Sequence, residues 1–249
     1  MAIAIKTPHE IQKMRSSGEV LSQVHEAVRQ AVKPGVSTMD LEKIAERTIA
    51  ELGGKPAFKG YMDYPACLCT SVNNEVIHGI PSASKQLRDG DIVSVDCGVI
   101  LDGYYSDAAV THGVGKTSAA TRKLLEVTKQ SLEQAIQEVK VGQTLGDIGA
   151  AVQEFCEAEG FGVVREFVGH GIGKKMHEDP QVPNYGKRGK GTKLRAGMVL
   201  AIEPMINAGR PEVKVLGDGW TAVTVDGSWS AHFEHTVAVT EDGPLVLTR

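Results

Sequence analysis

Two periods alternate along this chain. Leu41, Ile44, Ala45, Ile49 and Leu52 recur at helical spacing behind Ser37-x-x-Asp40, a reciprocal N-terminal cap. Upstream, Thr7-Pro8-His9-Glu10 combines a cap, a proline at the first helical position and a capping-box acid. It predicts a helix of about twenty residues that stops near Pro34-Gly35. The cap of the second helix returns 107 residues later as Thr144-x-x-Asp147, followed by Ile148, Ala151, Val152, Cys156 and Glu159, apolar except at the last position. Another helix, Ala119 to about Val139, precedes it. VKPGVSTMDL at 32–41 thus answers VKVGQTLGDI at 139–148, and the same offset relates LRDGDIVSVD at 87–96 to LRAGMVLAIE at 194–203. One offset over separate segments predicts two similar halves within a single domain, residues 1–249, with no linker between them.

In the second of these repeats the period is two. Ile92, Ser94 and Asp96 share one strand face, and Val93, Val95 and Cys97 the other. The counterparts are Val199, Ala201 and Glu203 against Leu200 and Ile202. Bulky aliphatics on the reverse face suit packing under helices, while small residues beside the acids leave room for a ligand. The expected class is α+β, a sheet with helices on one face and a polar site on the other. Asp102-Gly103 is a two-residue hairpin turn. Folding there pairs Gly98 with Asp107, so Asp107 joins Asp96 on the site face as a diagonal neighbour about 7–8 Å away at the backbone. Glu203 precedes Pro204, which ends its ladder. Glu234, in AHFEHTVAV, follows a longer insertion, so parity does not fix its face.

Bulk properties narrow the class. Apolar content of 41% and charged content of 23% are those of a globular enzyme. A net charge of −4 and a pI near 6.1 argue against a dedicated DNA or RNA binder. The basic run Lys187, Arg188, Lys190, Lys193 and Arg195 reads as a solvated loop, with an RNA-facing contact as the minority reading. No stretch approaches the roughly 18 apolar residues of a membrane span. The start, MAIAIKTPHE, lacks the pattern of a signal peptide. Cys67, Cys69, Cys97 and Cys156 follow no secreted framework, and reduced thiols in a cytoplasmic protein are expected.

The chemistry-bearing residues are Asp96, Asp107, Glu203 and Glu234 with His170, the last set in Gly169-His170-Gly171-Ile172-Gly173, where glycines permit close backbone approach. A lone strand acid reads as solvent-facing; two on one face beside small residues do not. His177 and His78 join the candidates, whereas His9, His25 and His112 read as structural. Four carboxylates and one imidazole can hold two divalent ions, a recurring hydrolytic device. Oxygen-rich ligation with one nitrogen suits manganese, iron(II), cobalt or zinc better than copper.

The contexts VDCG, YSDAA, GHGIG, IEPM and FEHT make nearly the whole chain resemble the type I methionine aminopeptidases, dimetal hydrolases of the pita-bread fold. The resemblance implies a curved, pseudo-two-fold antiparallel sheet backed by paired helices. It implies that Asp107 and Glu234 bridge two ions, that Asp96 chelates one, and that His170 and Glu203 complete the other. Glu203 would also act as general base, with His78 near the scissile peptide and His177 stabilising the tetrahedral intermediate. A methionine pocket would map to Phe58, Tyr61, Tyr64, Cys69, Met176 and Trp220; a cysteine at 58 and a phenylalanine at 176 are the common bacterial pattern. A monovalent cation would lie near Asn73, Glu75 and Ser230. The implied substrates are nascent polypeptide N-termini with a small second residue, met in the cytoplasm by a monomer in transient contact with the ribosome. The chain's own Met1-Ala2 obeys that rule and is expected to be trimmed to Ala2. The rival readings are a proline-directed peptidase of the same fold, which usually carries an added N-terminal domain, and a non-catalytic binding protein, which would have lost ligands. Type II relatives carry a helical insertion for which 177–203 has no room, and the zinc-binding N-terminal extension of many eukaryotic forms is not expected here.

Overall fold

The computed structural model describes residues 3–249; Met1 and Ala2, and with them the expected trimming site, lie outside the described residues. The first half runs α1 (Pro8–Ala31), α2 (Thr38–Glu51), β1 (Lys55–Pro56), β2 (Leu68–Val72), β3 (Glu75–Ile77), β4 (Ile92–Leu101) and β5 (Tyr104–Gly113). The second opens on α3 (Ala119–Gln137) and α4 (Leu145–Ala158), then β6 (Gly162–Val163), β7 (Gly169–Gly171) and β8 (Glu178–Val182). It continues with β9 (Val199–Ile202), β10 (Met205–Asn207), β11 (Val213–Val215) and β12 (Ala222–Thr224). β13 (Ser230–His232), β14 (Glu234–Thr240) and β15 (Gly243–Val246) complete it.

The caps start the helices where the sequence places them. Thr7 and Glu10, Ser37 and Asp40, and Thr144 and Asp147 each close a reciprocal box, worth about 1 kcal/mol per cap. The principal sheet is antiparallel, in the order β1-β4-β5-β14-β9-β7-β8, with β2 also on β4 and β15 also on β14. Val93, Val95, Cys97 and Val99 turn their reverse face onto Leu21, Val24, Leu41 and Ala45 of α1 and α2. Leu200 and Ile202 pack in the same manner with Leu132 and Ile136 of α3 and Ile148 and Val152 of α4.

Backbone bonds recur at the offset of 107. Gly35 N–H donates to Leu87 O (2.8 Å) and Gly142 N–H to Leu194 O (3.0 Å). Leu87 N–H donates to Val36 O (2.9 Å) and Leu194 N–H to Gln143 O (2.7 Å). The isolated bridges Ser37↔Gln86 and Thr144↔Lys193 obey the same offset. Two small sheets, β13-β10-β6 and β11-β12-β3, have no counterpart in the sequence reading. Their strands span two or three residues, too few to display a period of two. The basic residues 187–195 are exposed, and Arg188 is tied to Glu154 and Glu138. All four cysteines are free and buried. No helix among the described residues is long and apolar enough to cross a membrane.

Candidate metal centre and substrate pocket

The hairpin sets the first two acids. Asp102 and Gly103 take positive φ (49° and 79°), and the strands pair Leu101↔Tyr104, Gly98↔Asp107 and Asp96↔Ala109. Ala109 is also the partner of Glu234 on β14. A row of three strands therefore carries Asp96, Ala109 and Glu234 abreast, with Asp107 two residues from Ala109 along β5. A methyl group between two acids leaves the space that the small-residue pattern anticipates. The next ladder pair, His235↔Ile202, ends β9 one residue before Glu203, and His170 lies opposite Ala201 on β7. Four of the five candidate ligands thus lie on strands of one sheet, and Glu203 directly follows the strand between β14 and β7.

Their electrostatics are unfavourable as they stand. Asp96, Asp107, Glu203 and Glu234 all have pKa values raised by burial; next, charge on Asp107 raises Asp96, Glu203 and Glu234. Asp96 Oδ1, Asp107 Oδ1 and Glu234 Oε1 are buried without a hydrogen-bond partner among the described residues. His170 Nδ1–H donates to Gly171 O (2.9 Å), which leaves the lone pair on Nε2. That nitrogen faces Asp107 Oδ2 and Glu203 Oε1, each at 3.7 Å. A lone pair surrounded by carboxylate oxygens is satisfied by a cation between them. One ligand atom each from Asp107, His170 and Glu234 lies within 4.8 Å of the others. The donor set, the orphaned oxygens and the tautomer fit divalent metal. Burial also lowers the His170 pKa to about 4, so protons do not compete for this nitrogen at neutral pH.

Above the acids lies a cavity of about 170 Å³. Phe58, Tyr61, Tyr64, Cys69, Met176 and Trp220 form its walls, with His78 and His177 beside the ligands. The resemblance implies the six wall residues; the structure adds Met62, exposed at the rim. Tyr64 and Trp220 meet edge-to-face at 5.0 Å, and Tyr61 Oη lies 2.8 Å from His177 Nδ1. His78 has φ of 59°, and burial, followed by His177, lowers its pKa to about 4. At Gly98 a Cβ would meet Phe58 Cε1 at 2.7 Å and Ala57 Cβ at 2.8 Å, so a glycine brings Phe58 against the sheet. Both Phe58 and Met176 are buried in this apolar cluster.

Three residues escaped the sequence reading. His232 is buried with both ring nitrogens unpartnered among the described residues, and its Nε2 lies 3.7 Å from Glu203 Oε2. Burial lowers its pKa to about 3. Its parity with Glu234, two residues on, was the available signal. Thr236 Oγ1 accepts from Asp107 N–H (3.0 Å) and donates to Asp107 O (2.8 Å), and Asn184 Nδ2 donates to Glu203 O (3.0 Å). Neither left a mark in the sequence, because each acts through backbone contacts far along the chain. Asn73 and Ser230 are brought together, with Ser230 N–H donating to Asn73 O, whereas the Glu75 side chain is engaged by Val72 N–H and Lys85. A second group of possible ligands, Glu42, Glu46 and Cys67, has other employment. Glu42 accepts from Cys67 and Leu68 N–H, and Lys59 pairs with Glu46.

The model of metallopeptidase family M24 matches residues 12–241. The chain is 52% identical to methionine aminopeptidase 1 of Bacillus subtilis over 247 residues, 99% of each chain. Its structure is similar to the crystal structure of methionine aminopeptidase from Thermotoga maritima, with a TM-score of 0.98, 50% identity and full coverage of both chains. The prolidase from Pyrococcus furiosus shares the fold alone, at a TM-score of 0.79 and 24% identity, over 98% of this chain and 65% of that one. With its full-length likeness to the methionine aminopeptidases, the chain belongs to metallopeptidase family M24, as a metallo-hydrolase of the bacterial type I methionine aminopeptidases.

Proposed function

We propose that this protein hydrolyses the first peptide bond of polypeptides that begin with methionine and continue with a small residue. The observation that carries the reading is the juxtaposition of five metal-type ligands with a mostly apolar cavity that contains sulfur and aromatic edges. Such edges attract a thioether by about 0.3–1.5 kcal/mol. Asp96, Asp107, His170, Glu203 and Glu234 would together hold two divalent ions. Bound there, such ions would supply polarisation of the scissile carbonyl and a lowered pKa for water.

The protein's own groups do the rest. The Glu203 carboxylate, whose oxygens face His170 and His232, takes the proton of the attacking water and passes it to the leaving amine. His177, held by Tyr61 Oη, donates to the oxyanion as it forms. His78 orients the scissile peptide from a conformation fixed by its backbone. Phe58, Tyr61, Tyr64, Cys69, Met176 and Trp220 enclose the methionine side chain.

The finer parts of the reading are one domain with two pseudo-repeated halves, cobalt, manganese, iron(II) or zinc as the metal, and a monovalent cation near Asn73 and Ser230. They also include a cytoplasmic monomer that meets nascent chains in transient contact with the ribosome. Removal of metal followed by stepwise re-addition, with Met-Ala-Ser and Ala-Pro peptides as substrates, tests the core of it. Metal-dependent cleavage of the first and not the second is expected. Preference for X-Pro, or equal turnover of Met-Ala and Met-Leu peptides, overturns the specificity.

A further inference from the structure

The turn from Gly173 to Glu178 carries Met176 into the cavity wall and His177 against Tyr61 and His170. It interrupts the ladder: His170 pairs with Gln181 but Gly171 with Glu178, so the register shifts where the turn leaves the sheet. Lys174 and Lys175 are exposed. Met176 is anchored in the apolar cluster, but Lys174, Lys175 and His177 around it are exposed, so core packing alone does not place the imidazole. Beside Tyr105 N–H, which donates to Gly173 O (2.9 Å), the carboxylate of Glu178 ties the exposed part of the turn. Its Oε1 accepts from the backbone N–H groups of Lys174 (2.9 Å) and Lys175 (3.2 Å), and its Oε2 receives Lys6 Nζ at 2.7 Å.

Lys6 comes from the segment that precedes α1, 172 residues away along the chain. Its side chain is 7% exposed and that of Glu178 13%. Lys6 N–H donates to Gly197 O (2.7 Å), which anchors the segment beside β9. A Cβ at Gly173 would meet Lys6 Cε at 2.5 Å and Glu178 Oε1 at 2.7 Å, so the turn makes room for the pair. A second tether runs from Lys174 Nζ to Glu10 Oε1 (3.3 Å), with Tyr104 Oη donating to the same oxygen at 2.9 Å. Taking a lysine and a glutamate out of water gains little stability. A rigid, bifurcated tie on one turn gains position.

We propose that the Lys6–Glu178 pair is a positioning device for His177: the segment before α1 sets how well that imidazole meets the reacting carbonyl. The inference rests on the function proposed above and deepens it, naming Lys6 and Glu178 as positioning residues for the same site. Lys6→Met keeps the chain length and removes the charge, Lys6→Arg restores a cation, and His177→Ala removes the group acted upon.

Steady-state turnover of Met-Ala-Ser by the metal-loaded enzyme is measured for the wild type, the three single variants and Lys6→Met/His177→Ala. Lys6→Met should lower kcat at least about tenfold with KM within about threefold, and Lys6→Arg should recover most of the loss. In the His177→Ala background the same change should cost less than about twofold, because a positioning residue has nothing left to position. Metal affinity by calorimetry should stay within about threefold of wild type in Lys6→Met, since no ligand is touched. An equal loss with and without His177 makes the pair merely structural and overturns the proposal, as does an unchanged kcat in Lys6→Met. If Lys6→Met does not fold, Glu178→Gln is judged by the same criteria. A loaded wild type inert on Met-Ala-Ser defeats the functional reading alone. The clamp is then read from the His177 ring resonances, which must move in Lys6→Met and stay put in Lys33→Met, an unrelated lysine.

Discussion

Glu203 is where chemistry and position meet most closely. One oxygen faces His170 and the other His232, and its backbone carbonyl is fixed by Asn184. Glu203→Gln keeps this volume and loses the basic oxygen. Because positioned acid–base groups contribute about 10²–10⁴-fold, kcat should fall by at least about 10²-fold in protein shown by elemental analysis to retain metal. Near-normal turnover in such protein would falsify the proton-shuttle role. Thr236 makes a different kind of contribution. Its hydroxyl both accepts from and donates to the backbone of Asp107 across a seam where the β5–β14 ladder has only two pairs. Thr236→Val leaves a buried N–H unpaired, at about 1–3 kcal/mol, to be seen as a lower urea midpoint with an unchanged slope. An unshifted midpoint would mean that water or a backbone shift replaces the hydroxyl.

At the scale of elements, the site depends on strands brought close by what they lack. Gly98 faces Asp107 across the hairpin, and its missing side chain is filled by Phe58. Gly98→Ala drives Phe58 into the cavity, so KM for Met-Ala-Ser should rise several-fold while metal affinity holds. A KM unchanged in the variant would place Phe58 outside the methionine pocket. The helices play a remoter part: α1 and α2 cover the reverse face of β4, whose parity then commits Asp96 to the opposite face. Truncating one of their core residues, as in Leu41→Ala, costs about 2–5 kcal/mol and acts on the site only through the strand.

For the molecule as a whole, the proposed site would make proton and metal compete for the same four carboxylates. Their folded-state pKa values are raised above the unfolded ones. In metal-free protein their contribution to stability is therefore fully present below the unfolded carboxylate pKa and is lost as pH rises through the raised folded values. Metal binds the deprotonated set, so its stabilisation grows in the same direction. The gap in Tm between loaded and stripped protein should widen from about pH 5 to about pH 8, and metal binding should release protons. Titration calorimetry in two buffers of different ionisation enthalpy reads that release directly; a binding enthalpy independent of buffer contradicts it. His170 adds no competing proton in this range, since burial has already lowered its pKa to about 4.

The sequence alone determined whatever is encoded within a few residues or at a constant offset. Three capping boxes, the parity of β4 and β9, and the Asp102-Gly103 turn were legible because each follows from local sterics and hydrogen bonding. The hairpin register then carried Asp107 to Asp96 without further information. The longer insertion before Glu234 broke that logic, and the tertiary fold decided its place by pairing it with Ala109. The pocket residues were legible only through resemblance, since no spacing joins Phe58 to Trp220. Parity with Glu234 hinted at His232, but Thr236 and the Lys6–Glu178 tie were decided by folding itself. Contacts such as Thr236–Asp107 and Lys6–Glu178, 129 and 172 positions apart, depend on which strands the closing sheet makes neighbours, and no period along the chain records that choice.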